Sequence, residues 1–292
     1  MIKKLFIIIN LTCLLYAQNA AEKITVNFGF YVNSILLSNE KETVLAIELW
    51  IKELMLSQEI TVNLRIYDAI DVMIDDFLKD DKLQMMGFDS ITYLKNKKVL
   101  MGEYQKLWTL RASKEEYIQY YLIRTTQDKE ENFELKDKNI AIKKGDLSAK
   151  MWLDTLSIKN FKKPYKKLVK SEVLVDQQSS AMLRVYFQNV DCAVVTKSTF
   201  EVMKELNPSV AKKIRIVKKS PKIFVSYVGL FSKKLSKDVI SVFKKSQNEI
   251  NMTPKGRLIL DLLKVNKVVS IKESFLNNLD EYYKNYQKLL NE

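Results

Sequence analysis

The fold is decided by the stretch YFQNVDCAVVTKSTFEVM, residues 186–203, which has the same form as an earlier stretch, FLKDDKLQMMGFDSITYL, residues 77–94. Each stretch ends a helix, turns tightly, and runs through a short apolar strand. It then reaches Ser or Thr residues of the kind that begin helices. A unit that the chain contains twice predicts two structurally similar halves.

Strand and helix patterns alternate on both sides of these units. The strand patterns KITVNFGFYV (residues 23–32) and ITVNLRIYD (residues 60–68) are separated by a helical apolar pattern over residues 40–58. Such alternation is typical of α/β structures in which helices flank a parallel sheet. We therefore predict an α/β fold with two lobes, each a mainly parallel sheet flanked by helices.

The N-terminal segment has the pattern of a secretory signal peptide. Lysines at positions 3 and 4 precede an apolar run from Leu5 to Tyr16, which small residues follow. A membrane anchor would need about 20 apolar residues, and this run is shorter. We expect cleavage of residues 1–17, so that the mature protein begins near Gln18 in the periplasm. A lipoprotein attached through Cys13 is disfavoured, because Thr12 occupies a position where a smaller residue is usual.

Composition excludes several kinds of chemistry. The chain has no histidine, so a Ser-His-Asp or Cys-His catalytic group and a His-ligated metal site are excluded. Removal of Cys13 with the leader leaves Cys192 alone, and one thiol cannot form an internal disulfide. We expect no catalytic residues, no metal and no cofactor.

The net charge of +13 does not indicate a nucleic-acid-binding protein. The lysine-rich runs at residues 160–170 and 211–222 contain no glycine, and only Phe161 and Tyr165 of the first run are aromatic, which is a weak match to such surfaces. Solvated lysines explain these runs, and a general positive potential can assist the capture of anions. We expect no nucleic-acid partner.

The repeated units predict where a ligand binds. In open α/β sheets, ligands lie beyond the carboxyl ends of the strands, where helix N-termini present unpaired N–H groups. Ser90 and Thr92 occupy this position in the first unit, and Thr196 occupies it in the second. Two such edges that face each other would form a cleft. Each hydroxyl has a structural alternative, because Ser and Thr also cap helices.

These stretches resemble the periplasmic substrate-binding proteins of phosphate, phosphite and phosphonate ABC transporters, which have the type II periplasmic binding protein fold. LKDDKLQMMGFDSITYL is similar to the segment of that family that carries a ligand-facing tyrosine, here Tyr93. SSAMLRVYFQNVDCAVV is similar to its second-lobe segment, and the C-terminal residues 253–286 are similar to its closing helices.

The resemblance implies two lobes that close on a small ligand and are joined by two crossing strands. The first lobe is predicted to contain residues 23–113 and 231–292, and the second residues 132–217. Residues 114–131 and 218–230 would form the crossings. We expect a monomer whose partners are a small-molecule ligand and an ABC permease.

The implied ligand site departs from the family pattern. Gln84, Asp89 and Gln178 stand where the family usually has Asp, Gly and His, and the oxyanion-binding Ser-Thr-Ser-Gly loop is reduced to GDLSAK, which retains Ser148. A carboxylate at Asp89 would repel a dianion. We therefore expect a small polar ligand, neutral or singly charged, although an oxyanion such as phosphonate stays open. The predicted ligand-binding residues are Tyr31, Ser90, Thr92, Tyr93, Ser148, Gln178 and Thr196.

Three other functions remain as alternatives. A periplasmic ligand sensor would present its ligand to a membrane sensor kinase or cyclase, and it would use the same closure of two lobes. An enzyme on this scaffold is disfavoured by the absence of histidine and of an evident pair of carboxylates in the predicted cleft. An interaction protein with a degenerate cleft would have that cleft filled by its own side chains.

Overall fold

A computed structural model describes most of the chain beyond the predicted leader. The described residues are 24–31, 44–51, 60–79, 82–111, 113–128, 133–263 and 265–292. The predicted signal peptide, residues 1–17, lies outside them, as does Cys13.

The first sheet has six strands in the order β11-β4-β10-β3-β1-β2. These strands are β1 (Ile24–Tyr31), β2 (Ile60–Tyr67), β3 (Met85–Asp89), β4 (Tyr104–Arg111), β10 (Tyr227–Ser232) and β11 (Lys267–Ile271). We call this sheet and the helices that pack on it the first lobe.

The second sheet has five strands in the order β7-β6-β8-β5-β9. These strands are β5 (Tyr120–Thr125), β6 (Asn139–Lys143), β7 (Ser171–Val175), β8 (Cys192–Thr196) and β9 (Ile214–Lys219). We call this sheet with its helices the second lobe.

Helices flank both sheets. Residues 44–51 are helical, and the helices with bounds are α1 (Ile70–Leu78), α2 (Ser90–Leu100), α3 (Leu147–Phe161), α4 (Gln178–Tyr186), α5 (Lys197–Leu206), α6 (Pro208–Lys213), α7 (Lys237–Met252), α8 (Pro254–Leu262) and α9 (Asn277–Asn291). Short 3-10 helices occur at Tyr165–Lys167 and Glu273–Leu276. None of the helices in the described part of the chain is both long enough and apolar enough to cross a membrane.

Each sheet is mixed, because an interior strand runs against its neighbours on both sides; in the first sheet the edge strand β11 also runs antiparallel to β4. In the first sheet, β10 runs antiparallel to both β3 and β4, while β1 pairs in parallel with β2 and β3. In the second sheet, β5 runs antiparallel to both β8 and β9, while β6 pairs in parallel with β7 and β8. The reversed strands β5 and β10 are those by which the chain enters each lobe from the other.

The chain passes between the lobes twice, before β5 and before β10. The two connecting segments are joined at an isolated antiparallel bridge, where the Ile118 N–H donates to the Phe224 carbonyl at 2.8 Å, and beside it the Ser220 N–H donates to the Tyr120 carbonyl at 2.8 Å. The predicted crossing ranges, 114–131 and 218–230, include β5 and the start of β10, so each range also contains residues of a sheet.

The C-terminal helix α9 contacts both lobes. On the first lobe, Lys97 of α2 lies 2.8 Å from the Asp280 carboxylate. On the second lobe, the Tyr286 hydroxyl donates to Asp154 of α3 at 3.1 Å. Tyr282 packs edge-on against Phe224 at the crossing, with ring centroids 5.5 Å apart. The helix therefore lies across the junction and contacts three parts of it.

Candidate functional site

The two repeated units have equivalent geometry in the folded chain. Asp89 is the last residue of β3 and caps α2, where it accepts from the Thr92 N–H at 2.8 Å. Thr196 is the last residue of β8 and caps α5, where it accepts from the Thr199 N–H at 3.2 Å. Both units thus end in a buried strand whose final side chain caps the next helix.

Each unit also pairs with the reversed strand of its own sheet. Asp89 lies opposite Tyr227 of β10, and Thr196 lies opposite Tyr120 of β5. The same strand, cap and facing tyrosine therefore occur once in each lobe.

A cavity of about 950 Å³ lies between the lobes. The first lobe contributes Asp89, Ser113, Ser226 and Asn266, and the second contributes the N-terminal turns of three helices. The crossing segment contributes the polar residues Gln119 and Tyr120. A volume of this size holds a small molecule.

The N-terminus of α3 is capped by Asp146. Its carboxylate accepts from the Ala149 N–H at 2.9 Å and from the Tyr120 hydroxyl at 2.8 Å. Burial raises the pKa of Tyr120 well above its ordinary value of 10.0, and the carboxylates of Asp146 and Asp89 add to the rise. Tyr120 therefore stays neutral and donates a hydrogen bond to the Asp146 carboxylate.

Gln178 links the three helix N-termini of the second lobe. Its amide nitrogen donates to Asp146 at 3.0 Å, and its amide oxygen accepts from the Thr196 N–H at 2.8 Å and the Thr199 hydroxyl at 3.1 Å. Since Gln178 is also the first residue of α4, one amide fixes the relative positions of α3, α4 and α5.

Hydroxyl groups cluster at the start of α5. The Thr196 hydroxyl lies 3.1 Å from that of Ser198 and donates to that of Thr199 at 2.9 Å. All three residues line the cavity. Hydroxyls both donate and accept, so this surface can hydrogen-bond a neutral polar ligand or a charged one.

An ion pair joins the start of α5 to the first crossing segment. Lys197 contacts Glu115, and both residues line the cavity. The hydrogen bond from Lys197 lowers the pKa of Glu115, and the same bond raises the pKa of Lys197. The ammonium group of Lys197 is therefore engaged with a carboxylate at this edge.

Three of the seven predicted ligand-binding residues line the cavity, namely Ser148, Gln178 and Thr196. Ser90 and Thr92 are at the predicted helix start but are buried. The Ser90 hydroxyl donates to the Val225 carbonyl, and the Thr92 hydroxyl donates to Asp89 at 2.6 Å. Neither side chain caps α2, which Asp89 caps; they stabilise the start of this helix and its contact with the second crossing segment.

Tyr93 and Tyr31 do not line the cavity. Tyr93 is fully buried, stacks on Phe88 with ring centroids 6.3 Å apart, and has its hydroxyl 2.8 Å from that of Tyr104. Tyr31 ends β1 and packs at the margin of the hydrophobic core. The expectation that Tyr93 faces the ligand is thus corrected: this fourth residue of α2 points into the core, and the residue that faces the cavity from this unit is Asp89.

Sequence reasoning missed Asp146 and Tyr120. The segment GDLSAK was examined for its hydroxyl, but an Asp directly before a helix is a typical N-cap, and this signal could have identified Asp146. Tyr120 lies in the apolar run of residues 116–126, whose pattern predicts a strand and does not indicate a site residue. Gln84 lies apart from the cavity, since its amide oxygen accepts from the Asn27 N–H at 2.7 Å at the start of the first sheet's central strands.

Two α/β lobes with a polar cavity between them have the architecture of the type II periplasmic binding protein fold. Residues 35–275 match the family described as "ABC transporter, phosphonate, periplasmic substrate-binding protein". The chain belongs to this family. The family resemblance and the fold class inferred from the sequence are both confirmed.

Solved structures show the same fold at low sequence identity. A binding protein component of an ABC phosphonate transporter from Pseudomonas aeruginosa has a TM-score of 0.64 and 15% identity, with 92% of this chain and 88% of that chain covered. PhnD1 from Prochlorococcus marinus, in complex with methylphosphonate, has a TM-score of 0.62 and 12% identity, with 91% and 100% covered.

The aliphatic sulphonate binding protein SsuA from Escherichia coli is also similar, with a TM-score of 0.51 and 11% identity, and with 92% of this chain and 94% of that chain covered. No curated protein matches the chain in sequence. At these identities the structural likeness shows the fold alone.

Proposed function

We propose that this protein is exported to the periplasm, captures a small polar ligand in the cavity between its lobes, and delivers it to an ABC permease. The observation that carries the proposal is the cavity itself, which both lobes and the crossing segment line with hydroxyl, amide and charged groups. Membership of the substrate-binding family supports the role of a transport component rather than an enzyme.

Lobe closure is the expected response to the ligand. The crossing segments that meet at the Ile118–Phe224 bridge are the proposed hinge for this closure. Each chain contains a complete cavity, and we propose that it works as a monomer.

Ligand capture is tested by titration calorimetry and small-angle scattering with solutes found in a thermal-shift screen. Ser198 lines the cavity, whereas Ser180 is exposed and does not line it. Ser198→Trp should abolish binding because the indole occupies the hydroxyl-lined start of α5, and Ser180→Trp should bind as the wild type does. Binding that survives in Ser198→Trp would place the ligand elsewhere.

Delivery is tested separately with the permease encoded nearest to this gene. In proteoliposomes, the ligand-loaded protein should stimulate ATP hydrolysis by the permease complex, and the ligand-free protein should stimulate it less. If instead only a sensor kinase or cyclase responds to the loaded protein, delivery to a permease is refuted while ligand capture stands.

A further inference from the structure

We infer that the ligand carries a positively charged nitrogen, which lies near the carboxylates of Asp89 and Asp146, and that the cavity rejects doubly charged oxyanions. The inference rests on the proposed function, because it concerns what the same cavity holds. The existence of the site follows from the cavity and the family, and the carboxylates bear only on the charge of the ligand.

The cavity is acidic within a basic protein. The chain as a whole has a formal net charge of +13. Three of the cavity's lining residues carry ammonium groups, namely Lys114, Lys143 and Lys197, and six carry carboxylates. The carboxylates belong to Asp89, Glu115, Asp146, Asp176, Glu201 and Glu205. A cleft lined mainly by one sign of charge concentrates ligands of the other sign.

Two of the four helix N-termini at the cavity, those of α2 and α3, already hold carboxylates, whereas α4 and α5 begin without a carboxylate cap. Helix N-termini attract anions through their unpaired N–H groups. Here the Asp146 carboxylate accepts from the Ala149 N–H of α3, and the Asp89 carboxylate accepts from the Thr92 N–H of α2. An incoming phosphonate would have to share these positions with a fixed negative charge, whereas an ammonium group would be attracted to the same charge.

The three lining cations differ in their surroundings. Lys197 is engaged with Glu115, and Lys114 is exposed on the crossing segment. Lys143 is half-buried at the end of β6, three residues before Asp146. The two lobes each contribute one half-buried carboxylate to the cavity lining, Asp89 and Asp146, and the Asp146 carboxylate accepts from the Tyr120 hydroxyl at 2.8 Å. A cation placed there would attract both lobes and so favour the closed form.

The apolar part of the lining fits the organic part of such a ligand. Val202, Met203 and Leu206 line the cavity from α5, and Val202 and Leu206 are more than half exposed. Glu201 and Glu205 lie beside them on the same helix. Alternation of apolar and acidic side chains suits an alkylamine or a diamine, whose methylene groups separate charged nitrogens.

The test compares three series of probes at one ionic strength, so that screening is equal. The amines are methylamine, putrescine, spermidine and choline; the oxyanions are methylphosphonate, phosphate and methanesulfonate; the uncharged probe is glucose. We expect thermal stabilisation and calorimetric binding by at least one amine and by none of the oxyanions.

Asp89→Asn and Asp146→Asn each remove a negative charge from the cavity lining and so test whether the amine binds there. Asp89→Asn keeps a side chain that can cap α2, and it should weaken amine binding by about tenfold or more, as for loss of a partly buried charge partner. Asp75→Asn makes the same change of net charge at an exposed residue of α1 and should leave the affinity within about twofold. Asp146→Asn should weaken binding as Asp89→Asn does.

The outcomes separate the inference from the proposed function. Tight binding of an oxyanion or of glucose that Ser198→Trp abolishes would overturn the amine inference and support solute capture. Amine binding that neither Asp89→Asn nor Asp146→Asn weakens would also overturn the inference. If none of the probes, and none of the solutes of the wider screen, binds at all, both conclusions are contradicted.

Discussion

The hydroxyl groups of Tyr93 and Tyr104 lie 2.8 Å apart inside the first lobe. Burial raises the pKa of Tyr93 far above its ordinary value, and the hydrogen bond to Tyr104 adds to the rise. Burial also raises the pKa of Tyr104. The pair is therefore a neutral hydrogen bond that joins α2 to β4, and its role is to stabilise the lobe rather than to bind the ligand.

Removing the Tyr93 ring should destabilise the first lobe. Tyr93→Ala should lower the free energy of unfolding by about 3–5 kcal/mol, because it leaves a cavity in a packed core. Tyr93→Phe keeps the ring and should cost about 1 kcal/mol, the value of one hydrogen bond. Urea unfolding of both variants measures the difference.

The control is ligand binding by Tyr93→Phe, which should match the wild type because the hydroxyl does not line the cavity. A Tyr93→Phe variant that folds normally but loses affinity would return Tyr93 to the ligand site.

Gly229 is required by the indole of Trp108. A Cβ atom at position 229 would lie 1.9 Å from the Trp108 ring, and that ring is fully buried against Trp50 and Phe243. Because the ring cannot move aside, Gly229→Ala should lower the free energy of unfolding by at least about 3 kcal/mol. This loss is at the upper end of the range for overpacked cores. Unfolding monitored by tryptophan fluorescence measures the loss.

Gly102→Ala is the matched control. Gly102 has φ of +84°, and no atom lies within 4 Å of an added Cβ. Only the left-handed backbone opposes this substitution, so we expect about 1 kcal/mol. Equal losses at the two positions would contradict the steric explanation for Gly229.

The Lys97–Asp280 ion pair should make stability depend on pH. Burial opposes ionisation of Asp280, but hydrogen bonds from Lys97 and Lys284 lower its pKa below the ordinary value of 3.8. An acid whose pKa is lower in the folded chain contributes stability above its unfolded pKa, and that stability is lost as the pH falls through the folded pKa. Asp280→Asn should therefore lower the free energy of unfolding by about 1–3 kcal/mol at pH 7 and by less near pH 3.

The exposed pair between Lys79 and Asp75, 3.1 Å apart, provides the comparison. Asp75→Asn should cost less than about 0.5 kcal/mol at pH 7, because water screens both groups. If Asp280→Asn lowered the free energy of unfolding no more than Asp75→Asn does, at pH 7 as at pH 3, the partly buried Lys97–Asp280 pair would not make stability depend on pH.

Much of the fold could be predicted because it depends on local patterns. Alternating strand and helix periodicity marks β1, β2 and β6 to β9, and the repeated unit marks β3 and β8 as equivalent. The directions of β5 and β10 could not be obtained in this way, because an apolar run has the same period in either direction. These two strands run in the opposite direction because the chain enters each of them from the other lobe.

The site was harder to predict than the fold. Thr196 was expected at a strand end and helix start, whereas Ser148 and Gln178 were expected from the family pattern; all three line the cavity because sheet geometry places such positions at one edge. Tyr93 was assigned by resemblance alone, and its direction depends on the rotation of α2 about its axis. That rotation follows from tertiary packing against Phe88 and Tyr104, which residue spacing does not reveal.

Gln178 provides the sharpest test of the second lobe's half of the site. Gln178→Leu removes the donor to Asp146 and leaves the Thr196 N–H without its acceptor, so we expect a loss of about 1–3 kcal/mol in unfolding free energy. Gln177→Leu alters the preceding residue, whose side chain makes no capping bond and is exposed, and it should change stability by less than about 0.5 kcal/mol.

Gln178→Glu separates hydrogen bonding from charge at the same position. The new carboxyl group can still accept from Thr196, but it replaces the amide that donates to Asp146 at 3.0 Å. Two carboxylates so close raise the pKa of the introduced Glu in the folded chain. An acid whose pKa is raised on folding contributes stability at low pH, and that stability is lost as the pH rises through the folded pKa. The destabilisation caused by Gln178→Glu should therefore be larger at pH 8 than at pH 5, whereas that of Gln178→Leu should change little between these values. Urea unfolding at both pH values measures the two costs, and a pH-independent cost for Gln178→Glu would mean that Asp146 and Gln178 are not in contact in solution.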